Sequence, residues 1–230
     1  KDLPEGIEEK IKAFIRAFPD HIKEYETLLT KNIIWLKRTK GVGIISKEDA
    51  ISFGVTGPTL RGFGVKYDVR KAFPYSSYEE FDFEIPVGSV GDVYDRYIVR
   101  LREMEWSNAI VEQALERLPK GAIIADDPRI TLPPKDDVTK DIASLIRQFK
   151  IVSEGFQPPK GEVYASVEAS KGELGFYIVS DGSNHPFRFR IRTPSFANLS
   201  ALSKMIEGGL IADVISVIGS IDIVLGEIDR

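Results

Sequence analysis

Gly91 to Pro119 reads GDVYDRYIVRLREMEWSNAIVEQALERLP, and its periodicity decides the fold class. Tyr94, Tyr97, Leu101, Met104, Asn108, Val111, Leu115 and Leu118 recur at alternating spacings of three and four. That is a heptad seam of about four repeats, with Asn108 as its one polar member. At 1.5 Å per residue, a helix from Gly91 to Leu118 is roughly 40 Å long, enough to cross a whole domain. Gly88 and Gly91 mark its start, and Asp92 puts a carboxylate at the positive end of the helix dipole. Pro119 and Gly121 mark its end. Such a helix is the spine of a bundle, and the neighbours it needs flank it in the chain.

Upstream, Ile7, Ile11, Phe14, Ile15 and Phe18 form an apolar stripe that Pro19 is expected to stop. Asp20 is then the expected N-cap of a second helix carrying Ile22, Tyr25, Leu28, Leu29, Ile33 and Leu36, broken at Gly41-Val42-Gly43. Ser46-Lys47-Glu48-Asp49 resembles a capping box, opening a short helix that ends at Gly54. From 54 to 90 the periodicity vanishes, while seven aromatics (Phe63, Tyr67, Phe73, Tyr75, Tyr78, Phe81, Phe83) remain. A connection this long inside a compact domain is either packed across its own bundle or covered by a neighbouring protein.

Downstream, Asp137 is the expected cap of a helix with Val138, Ile142, Leu145, Ile146 and Phe149 on one face. The period then shifts to two. Glu162–Glu168, Glu173–Ser180 and Pro186–Arg192 alternate apolar and polar residues across two turns, a three-stranded antiparallel meander. Arg188, Arg190 and Arg192 share one face of the last strand. Arginines beside aromatics suit RNA, but an amphipathic strand with a solvent face of arginines explains the pattern with fewer assumptions. Two helices, Leu199–Ile206 and Leu210–Gly219, precede the tail. The fold class is therefore α+β, a mainly helical bundle with a small antiparallel sheet. Its parts are 1–160 (bundle, with the aromatic loop 54–90 and the central helix 91–118), 161–193 (meander) and 194–230 (terminal helices and tail).

Composition narrows the chemistry. The 230 residues are 43% hydrophobic and 29% charged, an ordinary balance for a globular chain with a substantial core. Thirty-one basic against 35 acidic residues leave a net charge of −4, which gives no reason to expect nucleic acid as a partner. Cysteine is absent, so this chain supplies no disulfide, thiolate nucleophile or cysteine-ligated cluster. With His21 and His185 the only histidines, a self-contained zinc site or Ser-His-Asp triad is not expected. No apolar run is long enough to span a bilayer, no signal peptide is visible, and an opening on Lys1 rather than Met fits a fragment or processed form. There is no GxxxxGK[ST] phosphate loop, and Gly41-Val42-Gly43 follows a helix rather than a strand, a poor dinucleotide fingerprint. Asp222 alone interrupts the apolar segment Val214–Leu225, so its carboxylate must be exposed, paired or functional.

Several blocks resemble one family. Thr56-Gly57-Pro58-Thr59-Leu60-Arg61, Asp68-Val69-Arg70-Lys71, Pro74-Tyr75 and Tyr78 lead into Gly91-Asp92-Val93-Tyr94-Asp95-Arg96-Tyr97 and Leu132-Pro133-Pro134-Lys135. Gly161-Glu162-Val163-Tyr164, Glu168 to Gly172, Ser180 to Asn184, Arg192 to Phe196 and Asp222 to Arg230 follow in order. Together they resemble the second half of the 49-kilodalton-type (D-type) subunit of respiratory complex I, the NADH:quinone oxidoreductase. That family is related to the large subunits of nickel–iron hydrogenases. The hydrogenase Cys-x-x-Cys has no counterpart in Ser220–Glu227, which argues against hydrogenase chemistry. Two departures stand out: Arg147-Gln148 where many relatives carry His-His, and Ser170 where proline is usual.

The resemblance implies a polypeptide with no cofactor of its own. It implies a quinone pocket shared with the B-type subunit, which bears a 4Fe–4S cluster, while NADH is oxidised on other subunits. The C-type subunit of the peripheral arm and the H-type subunit of the membrane arm are the further implied partners. The implied location is peripheral, on the cytoplasmic side of the cell membrane or the mitochondrial matrix side, with quinone reduction coupled to proton translocation. The quinone-headgroup His and Tyr of the family belong to its first half. On this resemblance Asp222, Val224 and Arg230 line or support the pocket, Lys171 faces Asp222, and Asp95 with Arg96 locks the central helix to the aromatic loop. The alternative is a scaffold half of a related membrane-bound complex, such as a dehydrogenase of reduced coenzyme F420 or a hydrogenase-like assembly.

Overall fold

The computed structural model describes residues 3–229. It is a mainly helical α+β structure with one antiparallel sheet, its strands ordered β1-β2-β3. The chain divides into two compact units. The larger holds Pro4–Leu118, Ser166–Gly175 and the chain from Ile191 onward; the smaller holds Pro119–Ala165 and Phe176–Arg190.

In the larger unit α1 (Ile7–Tyr25) runs into a π-helical turn (Glu26–Thr30), followed by α2 (Ile33–Thr39) and α3 (Lys47–Ser52). Asn32 caps α2 through its side chain, and Ser46 caps α3 by accepting from the Asp49 N–H at 3.0 Å. The aromatic stretch contains only short helices, α4 (Gly57–Gly62), α5 (Val69–Ala72) and one 3₁₀ turn (Tyr78–Glu80). The spine, α6 (Val93–Glu116), is N-capped by Asp92, which accepts from the Asp95 N–H at 2.8 Å. After the sheet come α9 (Pro194–Ser200), α10 (Leu202–Ile206), α11 (Asp213–Ile221) and α12 (Leu225–Ile228). The principal core includes Val55, Leu60, Phe63, Val93, Val217 and Ile221, joining α4, α6 and α11.

Pro19 does not stop the first helix but lies inside α1, so Asp20 caps nothing there. A proline lacks the N–H that would reach the carbonyl four residues back, here that of Ile15. Asn108 on α6 compensates, donating its Nδ2 to the Ile15 carbonyl at 3.1 Å. The polar residue of the seam thus serves the proline of the neighbouring helix. Asn108→Leu is expected to destabilise the chain by about 1–3 kcal/mol in urea unfolding, since it leaves that carbonyl unpaired. Pro19→Ala in the same background should recover most of the loss by restoring the internal bond.

The seam is also not the most buried side of α6. Val111 is 43% exposed and Leu118, beyond the helix end, 47%, whereas Arg96 is 0% and Val99 1% exposed. The helix buries two sides. Tyr97 meets Trp35 edge-on (ring centroids 5.4 Å apart) and the Thr30 hydroxyl at 3.0 Å. The other side turns Arg96 and Val99 inward. An apolar pattern cannot register a buried arginine.

In the smaller unit, α7 (Lys135–Val138) and α8 (Ile142–Ser153) are separate, and α8 is capped by Asp141 rather than Asp137. The Asp141 side chain accepts from Ser144 N–H at 2.8 Å. None of the α8 residues is buried. The strands are β1 (Gly161–Ala169), β2 (Gly172–Ser180) and β3 (Arg188–Arg192). Arg188 and Arg190 are exposed as expected, but Arg192 is not a solvent-face arginine. Within the larger unit it donates to the Glu173 carbonyl at 2.8 Å and the Gly54 carbonyl at 3.0 Å. The terminal helices also begin and end differently from expectation, because Pro194 occupies a first-turn position of α9 and starts it five residues early.

Candidate functional site

The β1–β2 turn carries Lys171, and two glycines let that turn press onto the start of α4. Gly57 has φ +67°, and a β-carbon on it would stand 2.4 Å from the Gly172 Cα. The reciprocal β-carbon on Gly172 would stand 2.5 Å from Thr56 Oγ1. Real contacts are never that short, so this apposition requires glycine on both sides. Polar bonds complete it. The Glu173 N–H donates to Thr56 Oγ1 at 3.2 Å, and the Thr56 N–H donates to Asn198 Oδ1 at 2.9 Å. Asn198, fully buried, donates its Nδ2 to the Lys171 carbonyl at 3.1 Å. The Lys171 carbonyl is therefore held by Asn198 within a turn pressed on α4, and its side chain reaches out from there.

It reaches Asp222. The Lys171 ammonium donates to the Asp222 carboxylate, with side chains 19% and 46% exposed. Partial exposure puts this pair between a screened surface bridge and a buried one. Asp222 ends α11 with φ +60° and ψ +54°, a left-handed conformation rare outside glycine, though aspartate tolerates it better than most. Beyond it the tail is pinned to the start of α9. The Val224 N–H donates to Ser195 Oγ at 3.2 Å, the Ser195 N–H to Glu227 Oε2 at 3.2 Å, and Thr193 Oγ1 to the Glu227 carbonyl at 2.7 Å. Val224 itself is 41% exposed. Arg230 lies outside the described residues.

Asp95 and Arg96 sit at the head of α6. One oxygen of Asp95 accepts three successive backbone N–H groups, from Ser89, Val90 and Gly91, at 2.7, 2.6 and 3.0 Å. This folds the end of the aromatic stretch over the helix N-terminus. Arg96 donates to the Gly43 and Gly91 carbonyls, both at 3.1 Å, and to Ser220 Oγ at 2.9 Å. Burial and the neighbouring Arg100 pull its pKa down to about 9, so the group remains a cation at neutral pH. A β-carbon on Gly43 would come within 2.8 Å of Arg96 Nη2, so that glycine leaves room for the guanidinium.

A second polar cluster lies apart from the expected site residues, although every member but Glu103 stands in the quoted motifs. Arg61, 1% exposed, donates to Glu103 at 2.5 Å and to Glu168 at 2.9 Å, and lies 3.5 Å from Asp68. Asp68 is also bound by Arg70 at 2.6 Å. The Val69 N–H donates to Glu168 at 3.1 Å, and the Glu168 N–H donates to the Tyr75 hydroxyl at 2.9 Å. Burial alone pulls Arg61 down, but Glu103, Glu168 and Asp68 together raise it above the usual arginine value. Burial pushes Glu168 up in spite of Arg61, and the like charge of Asp68 adds to the rise. Asp92, Arg96, Arg100 and Glu103 recur at helical spacing on α6, and that charged stripe was the signal available in the sequence.

Among the described residues no group of three or more His, Cys, Asp or Glu side chains is arranged to hold a metal ion, and no helix is long and apolar enough to cross a membrane. What the larger unit offers instead is a scaffold whose close-packed glycines and polar side chains fix one hairpin turn and one tail. The family model described as respiratory-chain NADH dehydrogenase, 49 Kd subunit, matches residues 1–230, and the chain belongs to this family. It is 57% identical over 230 residues to the D-type subunit of the NADH-quinone oxidoreductase of Geotalea uraniireducens. It is 56% identical over 229 residues to that of Geobacter sulfurreducens and 51% over 230 residues to that of Magnetococcus marinus. In each case 100% of this chain is covered, but only 59%, 59% and 58% of the relative. The chain thus spans well under two thirds of the proteins it matches.

Proposed function

We propose that this chain is part of a quinone-reducing oxidoreductase complex and that Lys171, Asp222, Val224 and Arg230 border its quinone site. Family membership supports the setting, because the relatives are named as D-type subunits of NADH-quinone oxidoreductases. One observation carries the reading: the Lys171–Asp222 pair, held where a rigid hairpin turn meets the pinned tail. A paired, half-exposed carboxylate beside an ammonium is suited to a reaction in which a quinone gains electrons and then protons. The ammonium stabilises developing negative charge, and the carboxylate holds it in position. Asp95 and Arg96 act at a distance in this reading, keeping α6 and the chain around Ser220 in register with the pair.

The partners under this proposal are the B-type subunit with its 4Fe–4S cluster, the C-type subunit and the H-type membrane subunit. The complex sits on the cytoplasmic or matrix face of the membrane, oxidises NADH elsewhere and couples quinone reduction to proton translocation. Asp222→Asn in the assembled complex keeps shape and loses charge. It is expected to lower NADH:quinone reductase activity by about tenfold or more, as when an interaction made in the transition state is removed. Oxidation of NADH by an artificial acceptor should be unchanged. A normally assembled variant with parental quinone kinetics and inhibitor sensitivity would sink the assignment.

A further inference from the structure

Arg100, one helical turn beyond Arg96 on α6, is a cation without a matching anion. Its Nη1 donates to the Arg96 carbonyl at 3.1 Å, and its Nη2 reaches the Ile221 carbonyl at 3.5 Å. The second contact is at the outer limit of a hydrogen bond, and Nε is buried with no partner. No ion pair joins Arg100 to a carboxylate among the described residues. A guanidinium presents donors in a fork that suits a carboxylate, and backbone carbonyls use only part of it. The residue directly after the carbonyl that Arg100 touches is Asp222. Burial pulls Arg100 below the ordinary arginine range, and the Asp222 carboxylate is the foremost group opposing that pull, followed by Glu103.

We propose that Asp222 has two cationic stations. In the conformation described, its carboxylate pairs with Lys171; in a second conformation it turns to Arg100 and fills the unused donors. The backbone at Asp222 is fixed by its N–H, which donates to the Ile218 carbonyl at 3.2 Å, so the exchange is a side-chain rotation between two cations. Its consequence rests on the quinone-site reading: when Asp222 moves to Arg100, the Lys171 ammonium is released and faces the negative charge forming on the reduced ring. Arg100 is then a positioning residue that acts through Asp222.

The test uses the assembled complex. Lys171→Met abolishes the first station, and an electron-microscopy structure of that variant should show the Asp222 carboxylate against the Arg100 guanidinium. A carboxylate that stays turned to solvent, with Arg100 Nε still unpartnered, overturns the proposal. Kinetics give an independent arm. Lys171→Met and Arg100→Gln should each lower quinone reduction by a few fold, and the double variant should be about as slow as the slower single variant, since Arg100 acts only through the release of Lys171. Arg100→Lys, which keeps the cation, should lose less than Arg100→Gln, whereas simple multiplication of the single effects in the double variant counts against two stations. If Arg100→Gln prevents assembly, the structure of Lys171→Met still decides. If Asp222 moves to Arg100 but no variant, Asp222→Asn included, alters quinone reduction, the stations stand and the quinone-site reading fails.

Discussion

Arg61→Met is expected to cost about 3–5 kcal/mol of folding stability, the range for removing one partner from a buried ion cluster. Methionine fills much of the volume, so the loss is electrostatic. Glu103 and Glu168 lose their bonds from Arg61, and Asp68 keeps Arg70 as its cation. The sign of the pH dependence is a sharper check. Burial already raises Glu168, so in the folded chain it holds its proton to higher pH than it does unfolded. A carboxyl raised in this way weighs against the folded state once pH climbs above its unfolded value, and removing Arg61 enlarges that effect. Urea unfolding should therefore show a larger deficit at about pH 8 than at about pH 5.5, where protonation relieves the unpaired carboxylates. A deficit under about 1 kcal/mol, or one that grows as pH falls, would contradict the cluster's role.

Gly57→Ala is expected to be nearly as damaging, at roughly 2–5 kcal/mol, from left-handed backbone strain plus overpacking. The added methyl would meet the Gly172 Cα at 2.4 Å and the Lys171 carbonyl at 2.7 Å. Both obstacles are backbone, so no rotamer change relieves them. Gly41→Ala is the control, having φ +73° with nothing within 4 Å of its β-carbon position. It should show only the conformational term, about 1–2 kcal/mol. Equal losses at the two positions in thermal or urea unfolding would mean that the hairpin turn does not press on α4. In the assembled complex Gly57→Ala should also weaken quinone reduction, since the turn it displaces carries Lys171.

Pattern and structure part company for identifiable physical causes. Helices and strands were legible because apolar periodicity and turn chemistry are local. Ser46 caps α3 as its position suggests, and the meander lies within a residue or two of its expected bounds. Pro19 misled because a proline's missing bond is a local defect that a distant side chain can mend, and Asn108 is 89 residues further on. Arg192 misled because alternation in a strand assigns a face without saying what covers it. The Arg61 cluster and Arg100 were invisible to an apolar pattern, since charged residues count there as solvent markers.

The candidate site shows the same division. Asp222 stood out in the sequence because a lone carboxylate in an apolar segment demands a reason, and family resemblance supplied Lys171 as its partner. Taken by itself, the sequence determined the α+β class, the central helix, the three strands, the family and the residues worth asking about. Only the tertiary structure decided which charges are buried, and which partners they find across dozens of residues. It alone revealed that Gly57 and Gly172 stand back to back, and that Arg100 is left with an unused buried donor. Local periodicity is set by neighbours three or four positions away, whereas the free energy of a buried charge is set by whatever the fold places within a few ångströms of it.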